Sequence, residues 1–406
     1  MQPLSVRDFR LLWLGQGVSL FGDQFYLVAL PWLTLQLTGS GLALGTVLVL
    51  SGGSRAIFQL LGGAVTDRVA ARTLMVVSNV LRALATAAIT ALVVTGVVEL
   101  WHLYILSIIF GVLDAFFVPA YLSVVPMLIV EEHLAAGNAL IRSTNRFMSL
   151  IGPAIAGLVV SHQSLGAAFG VDAATFVFAA VAIGLMKERR RPGADQDSLE
   201  GERPLRLKGL LASIGEGLRY AWEHPLARAL LFFIAAFEFS IVGPFFVGLP
   251  AMTKMRFETG ASALGWMLSA FGGGMLAGML LAGSIKMRRR GLLIISMSFL
   301  SGAGVVLLGF AAHVAWASVI LAIVGAGAGL TNILILALLH SETDRRLLGR
   351  VMGLLMFGSI LMESLSYAVA GVMADANLTA LFVISGAVVL VTSVLTLGGR
   401  TLRATK

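Results

Sequence analysis

Four carboxylic acids stand where such groups are costly. Asp23, Asp114, Glu238 and Glu363 each lie near the middle of a long apolar stretch. An ionisable side chain in that setting belongs by default to a transport pathway or a proton relay. A carboxyl group in a partly dry cavity can bind and release a proton in the working pH range. If its proton and cargo occupancies are linked, one can drive the other. Glu238 is the first candidate for that role and Asp23 the second. Two bases, Arg55 and Arg82, also lie inside apolar stretches. A structural ion pair is therefore the competing reading for each acid. Asp172, in the outer third of its stretch, reads as structural. Phe21, Phe25 and Tyr26 surround Asp23, while Phe237, Phe239, Phe245 and Phe246 surround Glu238. Such rings bind greasy cargo through area and adaptability. They serve equally well as packing or lipid-facing side chains.

The apolar stretches must position these groups. Of 406 residues, 58% are hydrophobic and only 12% charged. A soluble domain of this size needs far more polar surface. The apolar blocks run to about twenty residues, the length a helix needs to cross the hydrocarbon. Barrel strands would be shorter and alternate in polarity. Helical spans are expected at roughly 9–37, 41–65, 73–95, 101–127, 138–160 and 164–186, and then at roughly 227–252, 260–285, 291–311, 314–338, 350–372 and 377–398. There is no cysteine, which excludes disulfides, thiol catalysis and thiolate metal sites. The six histidines stand singly, without metal-ligand spacing. Phosphate-loop, HExxH and GxSxG patterns are all missing, so neither an ATP-driven chain nor an enzyme is expected, and no cofactor.

The net charge of +8 does not point to nucleic acid. Of 29 Lys and Arg residues, all but Arg55, Arg82, Lys254 and Arg256 fall at one set of span ends. The positive-inside rule then places both termini and the central loop in the cytoplasm of a multi-pass protein of the cell inner (plasma) membrane. The N-terminus runs straight into a long span with no small-residue cleavage site, so no cleaved signal peptide is read. The basic stretch KERRRPGADQDSLEGERPLRLKG divides six spans from six. Three parts follow: an N-terminal six-helix bundle over 1–186, a cytoplasmic linker over 187–212, and an interfacial helix with a C-terminal six-helix bundle over 213–406. The interfacial helix is the amphipathic segment 213–230. Asp23 stands twelve residues after Leu11, and Glu238 twelve after Leu226. That spacing suggests two related repeats, with one acid at matching depth in the first helix of each.

The loop after the second span reads GGAVTDRVAAR. Gly63, Asp67, Arg68 and Arg72 follow the loop pattern of the major facilitator superfamily, although Ala70 and Ala71 replace a Gly and an Arg of that pattern. The first hairpin, FRLLWLGQGVSLFGDQFYLVALPWLTLQLTGSGLALG, resembles the third drug:proton antiporter branch of the family, that of macrolide-efflux proteins and the enterobactin exporter. Matching segments such as LDAFFVPAYLSVVPML, GNALIRSTNRFMSLIGPAIAGLVV and GRVMGL recur along the chain. Gly152, Pro153 and Gly157 resemble the exporter-associated Gly-Pro pattern, which would bend a helix and tighten its seam with a neighbour; a packing kink without transport meaning is the other reading.

The resemblance implies an all-α membrane protein of the major facilitator fold, with twelve transmembrane helices in two pseudo-symmetric six-helix bundles. It implies a proton-driven exporter of amphiphilic small molecules of the drug or macrolide type, working by alternating access. Asp23, Asp114 and Glu238 would face the central cavity with Glu363 nearby, and loops 62–72 and 286–290 would latch its cytoplasmic side. The expected partners are an amphiphilic substrate, protons and the lipid bilayer, with the protein acting as a monomer. A dedicated siderophore or natural-product exporter, or a lipid flippase or uncoupled facilitator, are the alternatives.

Overall fold

The computed structural model describes residues 2–66, 69–162, 164–187, 222, 225–257, 259–284, 290–342 and 345–398. The linker 187–212 and the interfacial segment 213–230 lie largely outside them. Among the described residues the chain is helical almost throughout. The first six long helices are α1 (Arg7–Thr38), α2 (Gly41–Thr66), α3 (Ala71–Thr95), α4 (Leu100–Leu128), α5 (Glu131–His162) and α6 (Leu165–Gly184). Then α7 (Pro225–Gly243) passes without a break through a π-helical turn (Pro244–Gly248) into Leu249–Met255. The last five are α8 (Ala261–Ser284), α9 (Arg290–Leu308), α10 (Val314–Glu342), α11 (Arg345–Ala376) and α12 (Leu378–Gly398).

Lipid dictates this architecture, because a spanning backbone must satisfy its own polar groups. Among the described residues ten helices are long and apolar enough to cross a bilayer. The other two, α5 and α11, are 32 residues each. Both carry charged side chains along their length, and both lie on the seam between the two halves of the molecule. At about 1.5 Å per residue α1 is about 48 Å long, well over the hydrocarbon thickness. Its end is set by Gly39, whose left-handed φ of 63° suits glycine and whose N–H donates to the Leu35 carbonyl at 2.9 Å. Gly96 ends α3 in the same way, at φ 73°. Ser164 starts α6 by accepting from the Ala167 amide at 3.0 Å.

The packing repeats. In the first six helices α2 lies on α4, α3 on α4 and α6, and α1 on α5 and α6. In the second six, α8 lies on α10, α9 on α10 and α12, and α7 on α11 and α12. The fold is thus two pseudo-symmetric six-helix bundles. They meet along two equivalent seams, α2 with α11 and α5 with α8. Both seams need glycine. A β-carbon on Gly45 would lie 2.6 Å from the Tyr367 carbonyl oxygen, and one on Gly157 would lie 2.7 Å from that of Ala261.

Successive spans alternate in direction, so the α1–α2, α3–α4, α7–α8, α9–α10 and α11–α12 connections share one end, the far end. The near end holds the start of α1. The apolar contacts joining the halves gather at the far end. There Leu30 and Leu33 of α1 pack with Leu249, Met252, Ala261 and Leu264. Leu35 and Leu44 pack with Val247, Ala251, Ala370 and Ala374. The near-end clusters stay within one half. One is built on Phe9, Met75, Phe117 and Ile183, the other on Phe233, Ile294, Leu334 and Leu355. Among the described residues the halves are therefore closed against each other at the far end.

Candidate functional site

In the first half α3 carries Arg82 into an aromatic nest. Its guanidinium lies 4.8 Å from the Phe117 ring centre, 5.7 Å from Phe176 and 6.0 Å from Phe110. Such faces attract a cation without neutralising it. Neutralisation comes from Asp114 of α4, which forms an ion pair with Arg82. The Arg82 side chain is 6% exposed and that of Asp114 34%, so the carboxylate is the partner that meets the interior space. Asp23 of α1 lies half-buried within electrostatic reach of both. Asp172 of α6 is fully buried, and neither of its carboxylate oxygens has a hydrogen-bond partner. It is within reach of Asp23 and Arg82. Arg82 thus pairs with one acid, Asp114, and lies within electrostatic reach of two more.

The second group straddles the halves. Arg55 of α2 and Glu363 of α11 form an ion pair at 2.6 Å. The Tyr367 hydroxyl, one helical turn on, donates to the other Glu363 oxygen at 2.8 Å. Glu238 of α7 is half-buried and within reach of Glu363. Among the described residues Asp23, Asp172 and Glu238 have no ion-pair partner. An ionised carboxylate left uncompensated away from water is strongly unfavourable. Among the described residues these three acids lack a paired cation.

Just beyond Glu238, a side chain of α11 bonds to the backbone of α7. Ser366 accepts from the Gly243 amide at 2.7 Å and donates to the Phe239 carbonyl, one helical turn earlier. Pro244 follows, lacking an amide to continue the ladder, and the π-turn results. This contact within the second half ties α11 to the helix that carries Glu238.

The other expected residues fall as follows. Gly152 and Gly157 both sit at close approaches, Gly152 against Gln24 of α1 and Gly157 against α8. The Ala154 amide, next to Pro153, donates to Ser269 of α8 at 3.0 Å. Phe25, expected on the cargo wall, is instead 2% exposed and part of the apolar core, edge-on to Phe21. Tyr26 stacks on Phe110 at 4.6 Å, placing it in the same nest as Arg82. Phe237 stacks on Phe233, and Phe245 and Phe246 pack on Phe271 and Tyr367. Phe239 contributes the carbonyl bound by Ser366. Asp67, Arg68, the loop 285–289 and the side-chain surroundings of Gly63 lie outside the described residues. Arg72, expected in the cytoplasmic latch, donates to the Ile183 and Gly184 carbonyls at the end of α6.

Sequence reasoning missed Ser366, Tyr367 and Asp375, and took Asp172 for a plain structural acid. It also left open the roles of Lys254 and Arg256, the two bases at the far end. Lys254 lies 5.1 Å from the Trp32 ring of the opposite half, and Arg256 donates to the Gly309 carbonyl and the Thr379 hydroxyl. Among the described residues no group of three or more His, Asp or Glu is placed to hold a metal ion.

A model of the Major Facilitator Superfamily matches residues 12–366 and 259–405. The chain is 27% identical over 392 residues to the multidrug efflux pump Tap of Mycolicibacterium fortuitum, covering 92% of this chain and 90% of that one. It is 25% identical over 276 residues to macrolide efflux protein A of Streptococcus pyogenes, covering 65% and 66%. Among solved structures, the nucleoside transporter NupG superposes with a TM-score of 0.74 at 11% identity, over 98% of this chain and 100% of the other. That likeness speaks to the fold alone.

Proposed function

The chain belongs to the Major Facilitator Superfamily, and from that premise we propose that it is a secondary active exporter of amphiphilic small molecules, driven by proton antiport. One observation carries the reading. Each half contributes an acid on its first helix, Asp23 or Glu238, that lacks an ion-pair partner among the described residues and lies beside an acid that has one. The paired acids, Asp114 and Glu363, each face a guanidinium. The unpaired ones are left to take a proton or a cationic cargo group, and not both. That exclusion is what antiport requires. The similarity to a multidrug pump and a macrolide efflux protein supports the direction and the cargo class.

The basic span ends put the near end in the cytoplasm. The conformation described here, with its halves joined at the far end, is then the one that receives cargo from inside. Cargo enters between the halves and displaces the proton from Glu238. The halves rock about the α2–α11 and α5–α8 seams, and cargo leaves outward. Protons from outside reload Glu238 and Asp23 for the return. Phe21 and Phe237, one beside each acid, offer the apolar face an amphiphile needs.

The test is transport by the purified protein in liposomes under an imposed pH gradient, with a fluorescent lipophilic cation and then a macrolide as cargo. Wild type accumulates cargo against its gradient. Glu238→Gln loses accumulation while keeping cargo binding, and Asp23→Asn is impaired. Full uphill transport by both variants and by the double variant overturns the coupling assignment. Movement indifferent to the pH gradient in wild type overturns antiport itself.

A further inference from the structure

The closed far end is held by a helix cap that crosses from one half to the other. Asp375, in the last turn of α11, receives three hydrogen bonds from the start of α2. The Ser40 hydroxyl donates to one carboxylate oxygen at 2.6 Å, and the Leu42 amide to the same oxygen at 3.1 Å. The Gly41 amide donates to the other oxygen at 2.5 Å. Ser40 in turn accepts from the Ala43 amide at 3.2 Å, so it caps its own helix. The first amides of a helix have no partner within it and carry the positive end of its dipole. Capping normally comes from the same segment. Here it comes from the body that must move away if the far end opens.

The fit is close. A β-carbon on Gly41 would lie 2.7 Å from the Ala374 β-carbon and 3.1 Å from an Asp375 oxygen. The clasp is also exposed, unlike the Arg55–Glu363 pair deeper in the same seam. Water can therefore take over its hydrogen bonds when the helices part, so the contact is reversible. We propose that Asp375 is the positioning residue of the far-side gate: its carboxylate, seated on the α2 N-terminus, sets the balance between the far-closed and far-open states. This rests on the alternating-access reading above.

The chain has no cysteine, so spin labels go only where cysteines are introduced. Val97 and Phe310 are exposed at far-end connections of the two halves, and Val130 and Leu292 are exposed toward the near end. Electron-resonance distance distributions for each pair, in liposomes at rest, report the two gates. Asp375→Ala is expected to enlarge the long-distance population of the far-end pair about tenfold and to enlarge the short-distance population of the near-end pair; the tenfold change corresponds to about 1.4 kcal/mol. Asp375→Glu restores much of the wild-type balance. Asn377→Ala is the control. Asn377 caps the neighbouring α12 by accepting from the Ala380 amide at 2.9 Å, with no contact across the halves in that bond. It lowers stability without moving either distribution. Unchanged distributions in Asp375→Ala, or an equal shift in Asn377→Ala, overturn the proposal. If cargo and a proton gradient never exchange the two distances in wild type, alternating access fails instead. The resting comparison still judges the clasp.

Discussion

The Arg55–Glu363 pair gives the sharpest quantitative test of how charge holds the halves together. Its atoms are 2.6 Å apart, and the two side chains are 28% and 24% exposed. It lies between the surface regime, where pairs are worth about 0.2–1 kcal/mol, and the buried regime, where removing one partner costs about 3–5 kcal/mol. A coupling near 2 kcal/mol is the expected middle, below the roughly 4 kcal/mol that Coulomb's law gives at 4 Å and an effective dielectric of 20. The perturbations are Arg55→Met, Glu363→Gln and both together. Arg55→Met strands Glu363 with only the Tyr367 hydroxyl. It also removes a buried Nε that has no partner, which offsets a little of the loss. Glu363→Gln keeps an acceptor for Tyr367 and strands a guanidinium. Each single variant is expected to lose about 2–3 kcal/mol, and the double to lose about 2 kcal/mol less than their sum. Reversible unfolding in mixed micelles measures all four corners of the cycle. Additivity within about 0.5 kcal/mol refutes the reasoning, because it means that the pair is solvated as a surface pair would be.

Two further outcomes follow from the seams and the helix ends. Gly157→Val places two methyl groups where the Ala261 carbonyl and the Gly265 backbone already lie. Overpacking of that kind costs about 1–3 kcal/mol, and here the strain falls on the far-closed state, so uphill transport should drop at least tenfold while the protein still inserts; wild-type transport would show that the seam opens without cost. Arg72→Ala removes the donor to the Ile183 and Gly184 carbonyls. Leaving those last carbonyls of α6 to water should cost about 1–2 kcal/mol in the same micelle assay with cargo affinity unchanged. A change in affinity would mean that Arg72 acts at the cavity.

The helices were legible because a bilayer leaves the chain few choices. The expected spans over 9–37 and 314–338 became Arg7–Thr38 and Val314–Glu342. They ran longer because hydropathy reports the apolar part of a helix, while the helix itself continues into the headgroups and water. The repeat was visible in the Asp23 and Glu238 spacing, and it reappears as matching helix contacts. What the sequence did not show was partnership. Arg82 and Asp114 are 32 positions apart, and Arg55 and Glu363 are 308 apart. No periodicity links them; only the packing of α3 on α4 and of α2 on α11 does. Ser366 was invisible for the same reason. Nothing in SYAVAG marks a hydroxyl that will bond to the backbone of another helix. The placement of Phe25 shows the converse limit: an aromatic two residues from a candidate acid can point from the opposite face of the same helix.

The two halves handle charge differently, and the difference has a mechanical consequence. In the first half Arg82 finds Asp114 within its own bundle, along with three aromatic faces. That ion pair travels with one rigid body and is indifferent to how the halves sit. In the second, Glu363 takes its cation from α2 of the opposite half. Any relative motion of α2 and α11 alters that distance, and with it the charge that Glu238 experiences from its neighbour. Under the proposed antiport, drawing Arg55 away would leave Glu363 and Glu238 as neighbouring acids without a nearby cation, so movement at the seam would bear on proton binding near the middle of α7. Asp23, whose neighbouring guanidinium stays fixed within its own half, has no such link. The asymmetry thus favours Glu238 over Asp23 as the coupling group of the proposed antiport.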